Sequence, residues 1–454
     1  MHEPLPKGAF FVAMKSQQIM KDIQMYIAKT QYAGLYGVVL ESGSANTICD
    51  IDGHTYLDFL SGASAACLGY GRRDVISAYA KTARKLSHSC FVYSPNVEAV
   101  ILAKKLIEIT PGNFPKKVMF GLSASDSVDG AIKASRAYTG KRVIVSFRYS
   151  YHGSTGLAAQ ATGFMSLKND LYEPDKTIYL DFPKTEAKAE EILTVAEKIF
   201  RAQRADIACV LFEPILGDGG NIVPPKDFWS ELLRLAREHN IVSIADETQT
   251  GVGRTGAWWS VEHFAAVPDI IVAGKGLGGG YVAISACIGR SEILDSLTKA
   301  QHVFTLSGHP PSCAVATKII SIMEEQHIIQ RVKRKGNYLM RRLIILTRQY
   351  ADGVECEVRG KGLHIGISVT SRDGKPLAAL FATRCVQKGL YVGYFGVENE
   401  VMRLHPPLTI TYRELSRAVS ILSEVFEEWK RKSFPDSTTA RYRNYSMGLG
   451  ATTQ

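Results

Sequence analysis

The sequence lacks the features that mark membrane, secreted and metal-binding proteins. Its longest apolar runs, such as Ile207 to Ile215 and Asp269 to Gly274, are strand-sized, far below the roughly 20 residues of a membrane-spanning helix. The N-terminal residues carry scattered charges without a long apolar core, so we expect no secretory signal, a cytoplasmic location and no membrane partner. The eight cysteines stand singly without a CxxC pair, which predicts reduced thiols, no disulfide framework and no metal site.

Clustered charge is also lacking, although the formal net charge is +10. The Lys and Arg residues are dispersed and no DNA- or RNA-binding motif is present, so we expect no nucleic-acid partner. The positive charge instead favours anionic small molecules that carry phosphate or carboxylate groups.

What the sequence has is the alternation of an α/β protein. At 454 residues, 46% hydrophobic and 22% charged, it can form one large domain and one or two smaller ones. Between about residues 75 and 300, short apolar runs alternate with helix-like segments, which predicts a mostly parallel sheet. The candidate strands are Lys117–Gly121, Arg142–Phe147, Ala208–Glu213, Val242–Asp246, Ile270–Ala273 and Ala283–Ile288.

Four segments are predicted along the chain. Thr47–Asp50 and Thr55–Phe59 flank an Asp-Gly turn and predict a β-hairpin in an N-terminal segment, residues 1–69. A large domain follows at 70–315, and a smaller C-terminal α/β domain at 316–435. The tail at 436–454 is polar and Ser/Thr-rich, and we expect it to be disordered or to lie along a partner surface.

Lys275 stands in the segment AGKGLGGG, residues 273–280, directly after an apolar strand. A P-loop is excluded because Asp269 and Gly276 occupy the places that such a loop reserves for Gly and Ser/Thr. A lysine among small residues suits a Schiff base with an aldehyde that approaches the backbone closely. The alternative is a surface lysine in a Gly-rich turn.

Asp246 ends another apolar strand, Val242–Asp246. A carboxylate there is costly unless a cation pairs with it, and a protonated pyridine nitrogen is such a cation. The alternative is an Asp that caps the next segment. Ligands of open α/β sheets lie beyond the carboxyl ends of the strands, so Glu213, Asp246 and Lys275 are expected to share one crevice.

Two further segments supply an anion site and an aromatic face. Ser123, Ala124 and Ser125 stand between a strand and a helix whose N-terminus would bind phosphate, with the two hydroxyl groups as additional donors. Plain N-capping is compatible with this role. Tyr151 and His152 follow another strand, and the tyrosine would stack on a flat ring unless it is a core aromatic.

Taken in order, these segments resemble class III aminotransferases, the ornithine and 4-aminobutyrate type, of pyridoxal-5′-phosphate (PLP) fold type I. The resemblance runs from about Val39 to about Leu422. It rests on CDIDGHTYLDFLSG (49–62), FGLSASDSVDGAIKASRAYTG (120–140), YHGSTG (151–156), EPILGDGG (213–220), ADETQTGVGRTG (245–256), AGKGLGGG (273–280), TLSGHP (305–310) and RLHPPL (403–408).

The resemblance implies PLP as cofactor and assigns roles around it. Lys275 would hold PLP as a Schiff base, Asp246 would pair with the pyridine nitrogen, and Gln249 would reach the ring phenolate. The Ala124 N–H and Ser125 would hold the phosphate. The remaining implied cofactor contacts are Ser123, Tyr151 with His152, and Thr305.

Thr305 would reach the phosphate of a neighbouring subunit, which implies a homodimer or possibly a tetramer. Arg403 would bind the substrate carboxylate with Asp218 as its gating partner, and Glu213 would support the site. Two departures concern the substrate: Ser154 replaces an Arg of glutamate-using members, which argues against 2-oxoglutarate, and Ala63 replaces a pocket Tyr of ornithine-type members.

We therefore predict an aminotransferase that moves an amino group from a small-molecule donor to an oxo-acid acceptor by a ping-pong mechanism. An amino-acid racemase or epimerase of the same family is the alternative, since SASDSVD, YHGST and EPILGDGG also resemble that branch. It would need a second acid or base, for which Asp218 is the candidate provided that Arg403 does not hold it ionised and occupied. A non-catalytic PLP-binding protein is a distant alternative, against which intact Lys275, Asp246 and Gln249 argue.

Overall fold

The computed structural model describes residues 14–32, 36–165, 177–350 and 353–434. The predicted polar tail lies outside these residues. Within them, no helix is both long and apolar enough to cross a membrane.

The N-terminal segment forms a small sheet against the rest of the chain. The predicted hairpin is present, with strands paired antiparallel across the Asp-Gly turn. Its elements are α1 (Met14–Tyr26), β1 (Leu40–Ser44), β2 (Thr47–Asp50), β3 (Thr55–Asp58) and α2 (Ser61–Ser64), a single turn with left-handed backbone angles.

A seven-stranded sheet forms the centre of the molecule, in the order β4-β10-β9-β8-β7-β5-β6. Only β10 runs antiparallel to its neighbours. Every residue of β7 is buried, as expected for a central parallel strand covered on both faces. The strands are β4 (Lys116–Gly121), β5 (Val143–Phe147), β6 (Thr177–Leu180), β7 (Ile207–Phe212), β8 (Val242–Asp246), β9 (Ile270–Ala273) and β10 (Ser285–Arg290).

Helices cover both faces of this sheet, and the sheet separates two apolar clusters. The cluster on one face includes Val128, Ile132 and Ile144, contributed by α5 and β5. The helices are α3 (Arg73–Lys85), α4 (Val97–Ile109), α5 (Ala124–Thr139), α6 (Gly156–Ala161), α7 (Glu186–Ala202), α8 (Phe228–Glu238), α9 (Ser291–Leu294) and α10 (Pro310–Glu325), with 3-10 turns at Lys29–Gln31, Ser260–Phe264 and Lys275–Leu277.

The C-terminal part adds a second four-stranded sheet in the order β11-β12-β15-β14. Strand β13 pairs in parallel with β3, so the N-terminal segment packs on this part of the chain. Its elements are α11 (Ile328–Gln349), β11 (Glu355–Lys361), β12 (His364–Thr370), α12 (Ala378–Gln387), β13 (Leu390–Tyr391), β14 (Gly393–Phe395), β15 (Val401–Leu404) and α13 (Tyr412–Lys430).

The structure confirms the predicted α/β fold with a mostly parallel seven-stranded sheet and a smaller C-terminal sheet. The largest boundary error is at β10, which begins at Ser285, two residues later than predicted, whereas β4, β5 and β7 differ from their predicted bounds by one residue. Residues 278–282 turn tightly, with the Tyr281 N–H donating to the Gly278 carbonyl at 3.0 Å, and this turn delays the strand.

Candidate active site

A cavity of about 210 Å³ opens at the carboxyl ends of β7, β8 and β9. This is the edge at which parallel α/β sheets bind ligands. Its lining brings together most of the residues predicted from the sequence. They are Ala124, Ser125, Tyr151, His152, Gly153, Glu213, Asp218, Asp246, Thr248, Gln249 and Lys275.

Lys275 enters the cavity directly after β9. Its φ of +36° lies in a region that side chains other than glycine rarely adopt, and such strain concentrates at functional sites. Burial lowers the pKa of the Lys275 amine, while the nearby carboxylates of Asp218 and Asp246 oppose that shift. A lysine with a lowered pKa is a better nucleophile and base at neutral pH.

Asp246, at the end of β8, is 4% exposed and forms a hydrogen bond with His152. Its Oδ2 lies 2.8 Å from His152 Nδ1, and its Oδ1 accepts the Thr248 N–H at 3.1 Å. The predicted alternative, an Asp that caps the next segment, is therefore partly realised. The buried Nε2 of His152 has no partner among the described residues.

Glu213 joins two walls of the cavity. Its Oε1 accepts the Tyr151 N–H and its Oε2 accepts the Gly217 N–H, both at 2.9 Å. Burial, followed by the neighbouring charge of Asp246, raises the pKa of Glu213 to about 8. The carboxyl group thus fixes the loop that carries Asp218 next to the segment that carries Tyr151.

Asp218 lines the cavity and forms an ion pair with Arg403, which lies behind it and is not part of the lining. Arg403 on β15 is fully buried, its Nη2 donates to Asp218 Oδ1 at 2.7 Å, and its guanidinium lies 3.5 Å from the Phe395 ring centroid. Burial acts to raise the pKa of Asp218, but Arg403 and then Lys275 outweigh it and hold that pKa below its ordinary value. The Nε and Nη1 of Arg403 have no partner among the described residues.

The N-terminus of α5 forms one end of the cavity. Ser123 is its N-cap, and its hydroxyl pairs with Asp126 in a capping box, so Ser123 does not line the cavity. Ala124 is the first residue of α5, and its helical backbone conformation accommodates the methyl group. A Cβ on the facing Gly274 would lie 2.9 Å from that of Ala124, so the close approach needs glycine there.

Tyr151 and Gly153 meet this helix end from β5. Gly153 has a φ of +130°, and a Cβ there would lie 2.2 Å from Ser125 Oγ, so only glycine fits. The Ser154 N–H donates to Ser125 Oγ at 3.3 Å, and the Tyr151 hydroxyl lies 2.8 Å from that of Ser154.

Thr305 is exposed and does not line the cavity of its own chain. The structure thus leaves its predicted contact, with a neighbouring subunit, as a prediction.

Sequence reasoning missed a buried polar network behind Arg403. His405 Nδ1 lies 2.8 Å from Ser64 Oγ and its Nε2 lies 2.9 Å from Asn221 Nδ2. His405 also stacks on His364 at 4.1 Å between ring centroids. The signal that could have found it is the alternation in RLHPPL, which places Arg403 at the end of β15 and His405 just after it on the same side of the extended chain.

The unpartnered polar atoms test which ligand the cavity fits. Gln249 Oε1, Thr248 Oγ1 and His152 Nε2 are buried without partners among the described residues. A buried amine at Lys275, a carboxylate at the end of β8 and free N–H groups at the start of α5 match an aldehyde, a basic ring nitrogen and a phosphate. These groups fit PLP, so the fold and site define a PLP-dependent enzyme of fold type I.

Comparison with known proteins then gives the family. Residues 27–426 match the family model described as aminotransferase class-III, and the chain belongs to this family. Its relatives include both reaction types. The leucine/methionine racemase of Thermococcus litoralis is 35% identical over 91% of this chain and 96% of its own length. The 5-aminovalerate aminotransferase DavT of Pseudomonas aeruginosa is 32% identical over 87% of this chain and 94% of its own length.

A solved structure supports the fold. The amine transaminase of an uncultivated Pseudomonas species, in its PLP-bound form, superposes with a TM-score of 0.79. It is 29% identical and covers 86% of this chain and 95% of its own. PLP is thus the cofactor of this family, as the sequence predicted.

Proposed function

We propose that this enzyme inverts the α-carbon of amino acids, as a racemase or epimerase. The observation that carries the proposal is the placement of two proton-transfer groups around Asp246. Strands β9 and β7 flank β8 on opposite sides, and Lys275 follows β9 whereas Asp218 follows β7. Both groups line the same cavity as Asp246.

The residues proposed to hold PLP are those to which the family resemblance assigns the roles, and they line the cavity. Lys275 attaches it covalently, Asp246 supported by His152 pairs with its ring nitrogen, and Gln249 reaches its phenolate. The α5 N-terminus at Ala124 and Ser125 binds its phosphate, and Tyr151 stacks on its ring. When bound, PLP withdraws electrons from the amino acid and makes the α-proton acidic.

Inversion requires removal of the α-proton on one side of the substrate and its return on the other. When a substrate carboxylate takes the place of Asp218 on Arg403, the freed Asp218 carboxylate accepts the proton from one enantiomer while the Lys275 ammonium donates one from the opposite side. The mirror-image reaction uses neutral Lys275 as base and protonated Asp218 as acid. The pair carries one exchangeable proton in either state.

Arg403 sets the substrate class. Its Nε and Nη1, which have no partner among the described residues, offer donors to a substrate carboxylate. Among the described residues that line the cavity or are hydrogen-bonded to its lining, the cations are Lys275 and Arg403, and Ser154 adds no further cation. We therefore propose amino acids with uncharged side chains as substrates, which agrees with the leucine/methionine racemase among the relatives.

Transfer of an amino group to an oxo acid is the second candidate. The Arg403–Asp218 ion pair supports it, because Arg403 could release Asp218 to accept the carboxylates of donor and acceptor in turn. The family model and the aminotransferase relatives point the same way. In this reading Lys275 alone moves the proton, and Asp218 serves only as a gate.

The two candidates separate when PLP-loaded protein is mixed with single amino acids without any oxo acid. A racemase forms the opposite enantiomer over many turnovers, measured by chiral chromatography. Formation of one equivalent of oxo acid with no inverted amino acid would contradict the proposal and identify an aminotransferase. The Lys275→Ala variant should lose the absorbance of the bound cofactor and all turnover.

Asp218→Asn tests the role of the second group. We expect inversion to fall at least about 100-fold, the contribution of one general acid or base. One of the two enantiomers should still exchange its α-proton for deuterium with retention of configuration, through Lys275. A purely structural role would lower exchange and inversion together. Asp181→Asn, at an exposed carboxylate, is the matched control.

A further inference from the structure

A second cavity, of about 370 Å³, lies between the N-terminal turns of α11 and α13. Its lining consists of Arg331, Arg334, Lys335, Thr411 and Tyr412, none of which lines the active-site cavity. Arg331, Arg334 and Lys335 are spaced i, i+3 and i+4 along α11, so they share one helix face. The cavity therefore presents three cations together.

This placement of cations is unfavourable without an anion. The N-terminal turn of a helix carries partial positive charge, yet the first turn of α11 holds no acidic residue. No carboxylate of the described residues lies within 4.0 Å of the three cations. The carboxylate of Glu414 acts electrostatically on Lys335. Its Oε2 already accepts hydrogen bonds from Asn46 and Thr411.

Lys335 gives the strongest indication. The residue is only 4% exposed, and its Nζ makes one long contact, 3.5 Å, to the Leu408 carbonyl. Burial, followed by the charge of Arg331, lowers its pKa to about 8. A buried ammonium is costly unless an anion and further hydrogen bonds compensate it.

We propose that this cavity binds the phosphate group of a small phosphorylated molecule. Arg331, Arg334 and Lys335 bind the phosphate oxygens, and Arg is suited to bidentate contacts with them. Thr411 lies at the same end, with its hydroxyl engaged in the capping box with Glu414. Tyr412 is 48% exposed and offers a ring face or hydroxyl to the rest of the ligand. The site is separate from the proposed catalytic function and does not depend on it.

The test is calorimetric titration of the PLP-loaded enzyme with AMP, inorganic phosphate and adenosine. The bound cofactor fills the phosphate position at the start of α5, so that site does not compete. We expect saturable binding of AMP or inorganic phosphate at one site per chain, and none of adenosine. Phosphate as tight as AMP identifies the free ion as the ligand, whereas tighter AMP identifies a phosphorylated compound with a ring.

Arg334→Glu should weaken this binding about tenfold or more, as expected for loss of one charge-assisted contact. Arg334 is exposed, so the variant should fold. Arg342→Glu, an exposed position on the same helix outside the lining, makes the same change in net charge and should leave affinity unchanged. Absence of saturable binding, or equal weakening by both variants, overturns the proposal.

Discussion

Glu213 shows how a single buried carboxyl group couples the site to pH. It accepts the Tyr151 and Gly217 N–H groups, yet burial and the charge of Asp246 raise its pKa to about 8 from an ordinary value near 4.5. Between these two values the folded protein binds a proton that the unfolded chain has released. The free energy of unfolding must therefore fall as pH rises through this range.

We expect Glu213→Gln to flatten this dependence. The wild-type contribution cannot exceed one proton, or about 1.4 kcal/mol per pH unit. Chemical denaturation at intervals from pH 5 to pH 8 measures the slope, which is independent of any constant loss caused by the altered hydrogen bonds. Glu231→Gln on the surface of α8 is the control and should keep the wild-type slope. Identical slopes for all three proteins would show that Glu213 is ionised throughout.

Gly153 is a second residue at which a substitution should affect the site, because its backbone conformation excludes a side chain. We expect Gly153→Ala to cost about 1–3 kcal/mol of stability, since its φ of +130° excludes a side chain and the new methyl group meets Ser125 Oγ. Because Ser125 lines the proposed phosphate site, PLP affinity should fall as well. Thermal unfolding and cofactor titration measure both. Gly140→Ala, at an αL helix end with open space, should lose stability without loss of PLP affinity.

At the scale of the element, α5 separates capping from ligand binding. Ser123 caps the helix through Asp126, whereas Ser125 faces the cavity. Ser123→Ala should therefore lower the free energy of unfolding of the apoprotein by about 0.5–2 kcal/mol. Ser125→Ala should instead weaken PLP binding and leave apoprotein stability nearly unchanged. Equal effects of the two substitutions on PLP affinity would return Ser123 to the phosphate site.

Most of what the sequence could predict concerns the strands of the central sheet and the residues at their ends. Apolar runs that end in Asp246 or precede Lys275 indicated buried parallel strands, and the geometry of such sheets brought their ends together without further information. What the sequence could not predict are contacts between distant segments. His405 meets Ser64 and Asn221 across 341 and 184 residues, and no local pattern specifies that pairing.

At the scale of the whole molecule, one exposed apolar surface stands out. It is formed by α4 and the segment directly before it. Asn96 Nδ2 donates a hydrogen bond to the Gly308 carbonyl at 2.9 Å, and this bond holds the segment that contains Thr305 against the surface. Apolar patches of this kind mark protein interfaces. Its most exposed members are Val92, Tyr93, Val97, Val100, Ile101, Val303 and Leu306.

We propose that a second copy of the chain covers this surface and that Thr305 thereby reaches the phosphate site of its neighbour. The variant with Val97→Asp and Ile101→Asp should be monomeric by light scattering, because it buries two charges in the apolar contact. PLP affinity should fall with it, since each site loses the partner's contribution. Val97 lies in the first turn of α4, where Asp suits the helix dipole, and Ile101 is exposed, so the monomer should remain folded. Val195→Asp with Ile345→Asp, at exposed positions on α7 and α11, should leave both properties intact; a monomer that keeps full PLP affinity would show that each site is complete within one chain.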